Sequence, residues 1–327
     1  MKYRRLGRTG LEISEISLGT WQVGGGWGGS FDRKVADEII QTALEHGVNF
    51  LDTADVYDDQ QSEGAVADFV RKDRDKVYIA TKIGRRLNPH TADAYTPEAL
   101  EEFVNDALKN TGLDYLDLVQ LHCPPTPVYD FQEVFQKLEE IKQSGKVRHF
   151  GVSVEKVEEA EMAATYEVVE SVQIIFNMFR QKSADSLLKM LHSRGIGVIA
   201  RVPLASGLLS GKMTADREFD KNDHRHFNRN GELFDKGETF SGVPLDLGLK
   251  AVNELKTLFG DEELYKYALK WILSFEAVST VIPGASRPEQ VISNIKSASL
   301  PGFNEDQMKS VKKIYDEYIK AEVHHLW

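Results

Sequence analysis

Four ionisable side chains stand where short apolar runs give out. Asp52 closes the run NFLD, Tyr57 follows it in DTADVY, Lys82 ends VYIATK, and His122 ends LDLVQLH. A carboxylate, a phenol, an ammonium and an imidazole are together what the reduction of a carbonyl group requires. Hydride delivery to carbon builds negative charge on oxygen, which calls for a proton donor that is still protonated near neutral pH. Tyrosine, with an ordinary pKa of about 10, holds its proton too tightly unless a nearby cation lowers that value. Lys82 is the candidate cation, Asp52 the counter-ion that keeps a buried ammonium charged, and His122 a hydrogen-bond donor to the same oxygen. Singly, each has a structural reading: a helix cap, an ion pair, a core histidine. Together the four give every member a role.

The runs that carry these residues recur along the chain, at 16–20, 49–53, 77–82, 116–122, 147–153, 171–176, 196–202 and 278–284. They are nearly continuously apolar, the pattern of strands buried on both faces of a parallel sheet. Helical patterns separate them, at 35–44, 131–144, 183–193, 261–274 and 288–297. Another opens with Thr96-Pro97-Glu98 and runs to a terminal glycine, Gly112. About eight strand–helix units at a regular period, with no linker rich in Pro, Gly or Ser, predict an α/β chain folded as a (β/α)8 barrel, a single domain over 1–327. Residues 6–16 read as a hairpin turning at Thr9-Gly10 and capping the bottom of that barrel. Residues 205–260, after the seventh strand, read as a long loop of the kind that forms lids. In such a barrel, strand carboxyl ends converge on one mouth, which is where the four groups fall.

Composition bounds the partners. Of 327 residues, 40 are Lys or Arg and 51 Asp or Glu, a net charge of −11 that disfavours nucleic acid and anionic membranes. The one cysteine, Cys123, excludes an intrachain disulfide, and neither a signal-peptide core nor a membrane-length apolar run is present, so a cytoplasmic protein is expected. Cys123 lacks a second thiol at metal-ligand spacing and reads as a buried apolar thiol. His224, His226, His324 and His325 read as surface histidines. Trp27 and Trp327 are candidates to close over a substrate, with packing as the equal alternative.

A competing motif has to be weighed. In VGGGWGG the glycines at 24, 26 and 29 match G-x-G-x-x-G, an apolar run precedes them, a helix follows, and Asp52 sits where a dinucleotide fold places its ribose-binding acid. However, Ser30-Phe31-Asp32 intervene before a plausible helix start, so the last glycine is not at the helix N-terminus that a pyrophosphate needs. The loop is better read as lying beside the substrate mouth.

The motifs LGRTGLEISEISLGTW, NFLDTADVY, IATKIG, QLHCP, VRHFGVS, LASGLLSGK and VIPGASRPEQVISN, in this order, resemble those of the aldo-keto reductases across nearly the whole chain. The resemblance implies a TIM barrel that binds NADPH without a dinucleotide fold and uses Asp52, Tyr57, Lys82 and His122 as a catalytic tetrad, with Tyr57 as the acid. It also implies the cofactor contacts. Thr20, Trp21 and Asp52 would lie by the nicotinamide end, and Ser153 and Gln173 would hold the carboxamide. Leu204, Gly207, Leu208, Ser210 and Lys212 would wrap the pyrophosphate. Gly284, Ser286 and Arg287 would meet the adenosine phosphate, and Gln290 and Asn294 the adenine. Arg201 stands where many relatives stack a tyrosine on the nicotinamide, which would put a positive charge there. With Arg287 the main basic residue at the adenosine, NADPH/NADP is expected and NADH use remains open. The implied substrate is a small-molecule carbonyl or alcohol. The potassium-channel β-subunits share the tetrad, so a cofactor-binding sensor of slow turnover is the alternative.

Overall fold

The computed structural model describes residues 1–24, 29–260 and 263–327. Its strands are β1 (Tyr3–Arg5), β2 (Glu12–Ser14), β3 (Leu18–Gly19), β4 (Phe50–Asp52), β5 (Tyr78–Ile83), β6 (Leu116–His122), β7 (Val147–Val154), β8 (Val169–Ile175), β9 (Gly197–Arg201) and β10 (Val278–Val281). β3 to β10 form one parallel sheet in chain order. Parallel bridges Ile16–Val281 and Gly19–Gly284 join its two edges, with Ser17 N donating to Val281 O (2.9 Å) and Gly19 N to Pro283 O (3.2 Å). The sheet thus closes on itself as the eight apolar runs predict. Every residue of β6 and β8 is buried, which is why those runs do not alternate.

The helix starts follow the sequence signals. Thr96 Oγ1 accepts from Ala99 N ahead of Pro97, and the helix Pro97–Thr111 ends on Gly112 in the left-handed region. Asp32 caps the helix Arg33–Glu45 by accepting from Lys34 N and Val35 N. A carboxylate therefore already occupies the N-terminus where the dinucleotide fingerprint would need a pyrophosphate, which disposes of that motif. Trp27 and Gly26 lie outside the described residues.

Two expectations about connections need correction. The hairpin pairs Tyr3–Arg5 with Glu12–Ser14, so it begins before residue 6; Leu6 to Leu11 form its tip, folded by a 3-10 turn at Gly7–Thr9 that ends on Gly10. The tip is apolar because it is buried: Leu6, Leu11 and Ile13 pack inside the barrel on Phe50, Ala80, Leu118, Ile199 and Ile282. Gly7 is needed here, since a Cβ would lie 2.3 Å from Gly197 N. The segment 205–260 is not all loop, for it includes the helix Leu245–Phe259. Its irregular part ends near Pro244. Among the described residues no helix is long and apolar enough to cross a membrane.

Candidate active site

Asp52, Lys82 and His122 occupy the carboxyl ends of β4, β5 and β6, and Tyr57 follows β4 on a tight turn. Register brings them together, because Asp52 pairs with Ala80 and Lys82 with Gln120, so inward side chains two apart on each strand face one space. Lys82 Nζ donates to Asp52 Oδ1 at 2.5 Å and to Thr53 O at 2.9 Å, and lies 3.4 Å from the Tyr57 hydroxyl. The Tyr57 ring stacks on Trp21 (centroids 6.2 Å apart) and meets His122 edge-on, also at 6.2 Å. The other carboxylate oxygen, Asp52 Oδ2, accepts from Gln173 Nε2 at 2.7 Å and Gln120 Nε2 at 3.3 Å. Sequence reasoning missed Gln120, although it stands two residues before His122 and therefore on the same face.

Burial sets the protonation of the group. It is the largest influence on Tyr57 and pushes the phenol above its ordinary range; the Lys82 ammonium opposes the rise without cancelling it. Burial also opposes the charge on Lys82, but Asp52 and Tyr57 together outweigh it and hold the ammonium above its usual value. The His122 imidazole is held well below its usual value, first by burial and then by Arg85, Lys82 and Arg201. The resting state is therefore a protonated tyrosine, a charged lysine and a neutral histidine whose buried Nδ1 has no hydrogen-bond partner among the described residues.

These groups open onto a cavity of about 720 Å³, well within the span of cofactor and substrate pockets. Thr20, Trp21, Asp52, Tyr57, His122, Ser153, Gln173 and Arg201 line it, as do Leu204, Gly207, Ser210, Lys212, Gly284, Arg287, Gln290 and Asn294. Three expected residues do not. Lys82 is buried behind Tyr57. Leu208 faces the core, packed so closely on the helix Leu245–Phe259 that a Cβ at Gly248 would come 2.5 Å from it. Ser286 is instead tied to Gln290, whose Oε1 accepts from Ser286 N at 2.7 Å.

Arg201 does not present a bare charge to the cavity. Its guanidinium donates to Glu238 Oε1 (2.5 Å), Glu155 Oε2 (3.0 Å) and Val154 O (3.0 Å). Both carboxylates were missed in the sequence, one lying just past β7 and the other in the long connection. Burial pushes Glu155 up to about 7, whereas Glu238 stays below the usual range because Arg201 and Arg85 outweigh burial. Cys123 lies 3.7 Å from Arg201 and 3.6 Å from Ser153 Oγ, in polar rather than apolar company.

His224 is a further correction. It is buried, with its ring 5.0 Å from Trp21 and Nε2 3.4 Å from Ser206 Oγ, and burial drives its pKa to about 4. His324 meets the Tyr315 hydroxyl at 2.9 Å and Asp185 at 3.1 Å. Trp327 takes the packing alternative, stacked on Arg180 at 3.4 Å with Nε1 donating to Asp235 Oδ1.

The chain is similar to known proteins along nearly its whole length. The sequence profile described as "Aldo/keto reductase family" matches residues 15–316. The aldo-keto reductase YhdN of Bacillus subtilis is 30% identical, with 99% of this chain and 96% of that protein covered. A probable voltage-gated potassium channel subunit beta of Arabidopsis thaliana is also 30% identical, over 92% of each chain. Among solved structures, the glycerol dehydrogenase of Gluconobacter oxydans superposes with a TM-score of 0.77 at 27% identity, covering 97% of this chain and 96% of that one.

Proposed function

The chain belongs to the aldo/keto reductase family, and from that premise we propose that it is an NADP(H)-dependent oxidoreductase that reduces an aldehyde or ketone to the alcohol, reversibly. The observation that carries this reading is the 3.4 Å contact of the Tyr57 hydroxyl with a lysine already paired to Asp52, at the wall of the cavity and across from His122.

The donors present suit a nicotinamide dinucleotide. Ser153 and Gln173 supply amide-binding groups at one part of the wall; Lys212 and Arg287 supply cations for phosphates at another. The Arg287 side chain makes no hydrogen bond or ion pair among the described residues, so its fork is free for a phosphate, and this favours NADPH. When bound, the nicotinamide supplies the hydride. The chain does the rest. Neutral His122 hydrogen-bonds the carbonyl oxygen and orients it. Tyr57, protonated in the resting state, gives its proton to that oxygen as charge develops, and the Lys82 ammonium stabilises the phenolate left behind. Asp52, held by Gln120 and Gln173, keeps the lysine charged and aimed.

The test is the loss of reduced-nicotinamide absorbance with a panel of carbonyl compounds. Tyr57→Phe is expected to lower kcat by about 10²–10⁴-fold with an unchanged melting temperature, and equal rates would remove Tyr57 as the acid. A second reading, a sensor that binds the cofactor and turns over slowly, draws on the resemblance to the plant channel subunit. Turnover near one per second or faster, the ordinary range of enzymes, would dismiss it.

A further inference from the structure

Arg85 lies three residues beyond Lys82, past the end of β5, and lines the cavity at its catalytic part. Its position is fixed by what it touches and influences. Its guanidinium sits 5.7 Å from the centre of the Phe234 ring, which itself stands 6.2 Å from Trp21. Its charge acts on His122 more strongly than that of Lys82 does.

Arginine carries five donors in a planar fork and keeps its charge at any physiological pH. The two buried arginines among the described residues at this end are committed: Arg201 to Glu155 and Glu238, Arg180 to Ser241 O and Glu155 O. Arg85 makes no hydrogen bond and no ion pair among the described residues, and it lines the cavity. A guanidinium that lines a cavity without a protein acceptor keeps its hydrogen-bonding fork available to a ligand.

We propose that Arg85 is the specificity residue of the reductase described above, and that the preferred substrates are carbonyl compounds bearing a carboxylate. The inference rests on that reading of the site. One planar fork matches one carboxylate in two parallel hydrogen bonds. The neighbouring Glu155 and Glu238 carboxylates would repel a second negative charge, so a monoanion is favoured over a phosphate dianion. The reaction itself is unchanged. The carbonyl carbon takes hydride from the reduced nicotinamide, which is oxidised, its oxygen takes the Tyr57 proton, and the carboxylate is a handle that neither gains nor loses electrons.

The test compares 4-carboxybenzaldehyde with its neutral twin, 4-carbamoylbenzaldehyde, and with 4-formylphenyl phosphate. In the wild-type protein the ratio of kcat/KM for the carboxylate over the amide is expected to be about 10–150. It should fall close to one in Arg85→Gln and be partly retained in Arg85→Lys, with both variants checked for a native circular dichroism spectrum. A ratio near one in the wild type, or a ratio untouched by Arg85→Gln, overturns the proposal while leaving the reductase in place. Preference for the phosphate ester over the carboxylate overturns the assignment to a monoanion. Failure of all three aldehydes to turn over strikes instead at the reductase reading. Calorimetric binding of 4-carboxybenzyl alcohol in the presence of NADP then decides the anion site: affinity lost in Arg85→Gln upholds it, and equal affinities overturn it.

Discussion

The two ends of the barrel are built from the same strands and have opposite characters. On β4, Phe50 belongs to the apolar plug and Asp52 to the polar group at the cavity end; on β5 the pair is Ala80 and Lys82, on β6 Leu118 and Gln120, and on β9 Ile199 and Arg201. Each pair is two residues apart, about 6–7 Å along a strand. Within that distance the interior passes from a cluster sealed by Leu6, Leu11 and Ile13 to a polar set, of which Asp52 and Arg201 line the cavity. Parallel strands make this division possible because all their carboxyl ends lie on one side. The lower end contributes burial, and the upper end keeps ionised groups that cost stability.

The comparison can be broken most sharply at the buried Lys82–Asp52 pair of the upper end. Lys82→Met leaves Asp52 charged and buried, and is expected to cost about 3–5 kcal/mol of stability together with most activity. Adding Asp52→Asn should restore much of the melting temperature and none of the turnover; recovery of turnover would mean that the ammonium has no chemical part. At the lower end, Leu6→Ala should cost about 2–5 kcal/mol through the cavity it leaves, read as a shifted denaturation midpoint, with kcat/KM unchanged. A comparable loss of turnover would show that the two ends are coupled.

Two smaller effects sharpen the picture. Arg287→Ala should raise KM for NADPH about tenfold, the worth of one charge-assisted contact, without changing KM for NADH. Asp55 is buried with neither carboxylate oxygen hydrogen-bonded among the described residues, and burial followed by the Glu63 charge lifts it to about 7 from an ordinary 3.8. The folded state therefore holds this proton through the window between those values, so the cost of Asp55 is absent below pH 4 and grows as pH rises toward 7. Asp55→Asn should raise the melting temperature by about 2–4 °C at pH 8 and leave it unchanged at pH 4. The same shift at both pH values would assign the effect to something other than ionisation.

The barrel was legible because a parallel strand announces itself locally, as a run such as LDLVQLH, and because chemistry sits where such runs end. Thr96-Pro97 and Gly112 likewise mark a helix with residues adjacent in sequence. What escaped detection depends on distant partners. Nothing local says that Arg201 will be enclosed by Glu155 and Glu238, or that Leu6 will enter the barrel beside Gly197. The helix Leu245–Phe259 carries an amphipathic pattern, but a glycine in its first turn lowers its local propensity; that Gly248 is there to admit Leu208 is visible only in three dimensions. Arg85 reads as an ordinary surface cation until the cavity is seen around it.

The plug also sets an order of events during synthesis. The hairpin leaves the ribosome before the strands of the barrel, yet Arg4 donates to Leu273 O and Val278 O, and Leu6 settles against Gly197 and packs with Ile282. The part of its seat formed by Leu273 and Val278 is therefore translated more than 260 residues later. The amino-terminal segment has to wait, exposed, until the final strand emerges, and a nascent chain stalled before that point has no closed barrel to protect it.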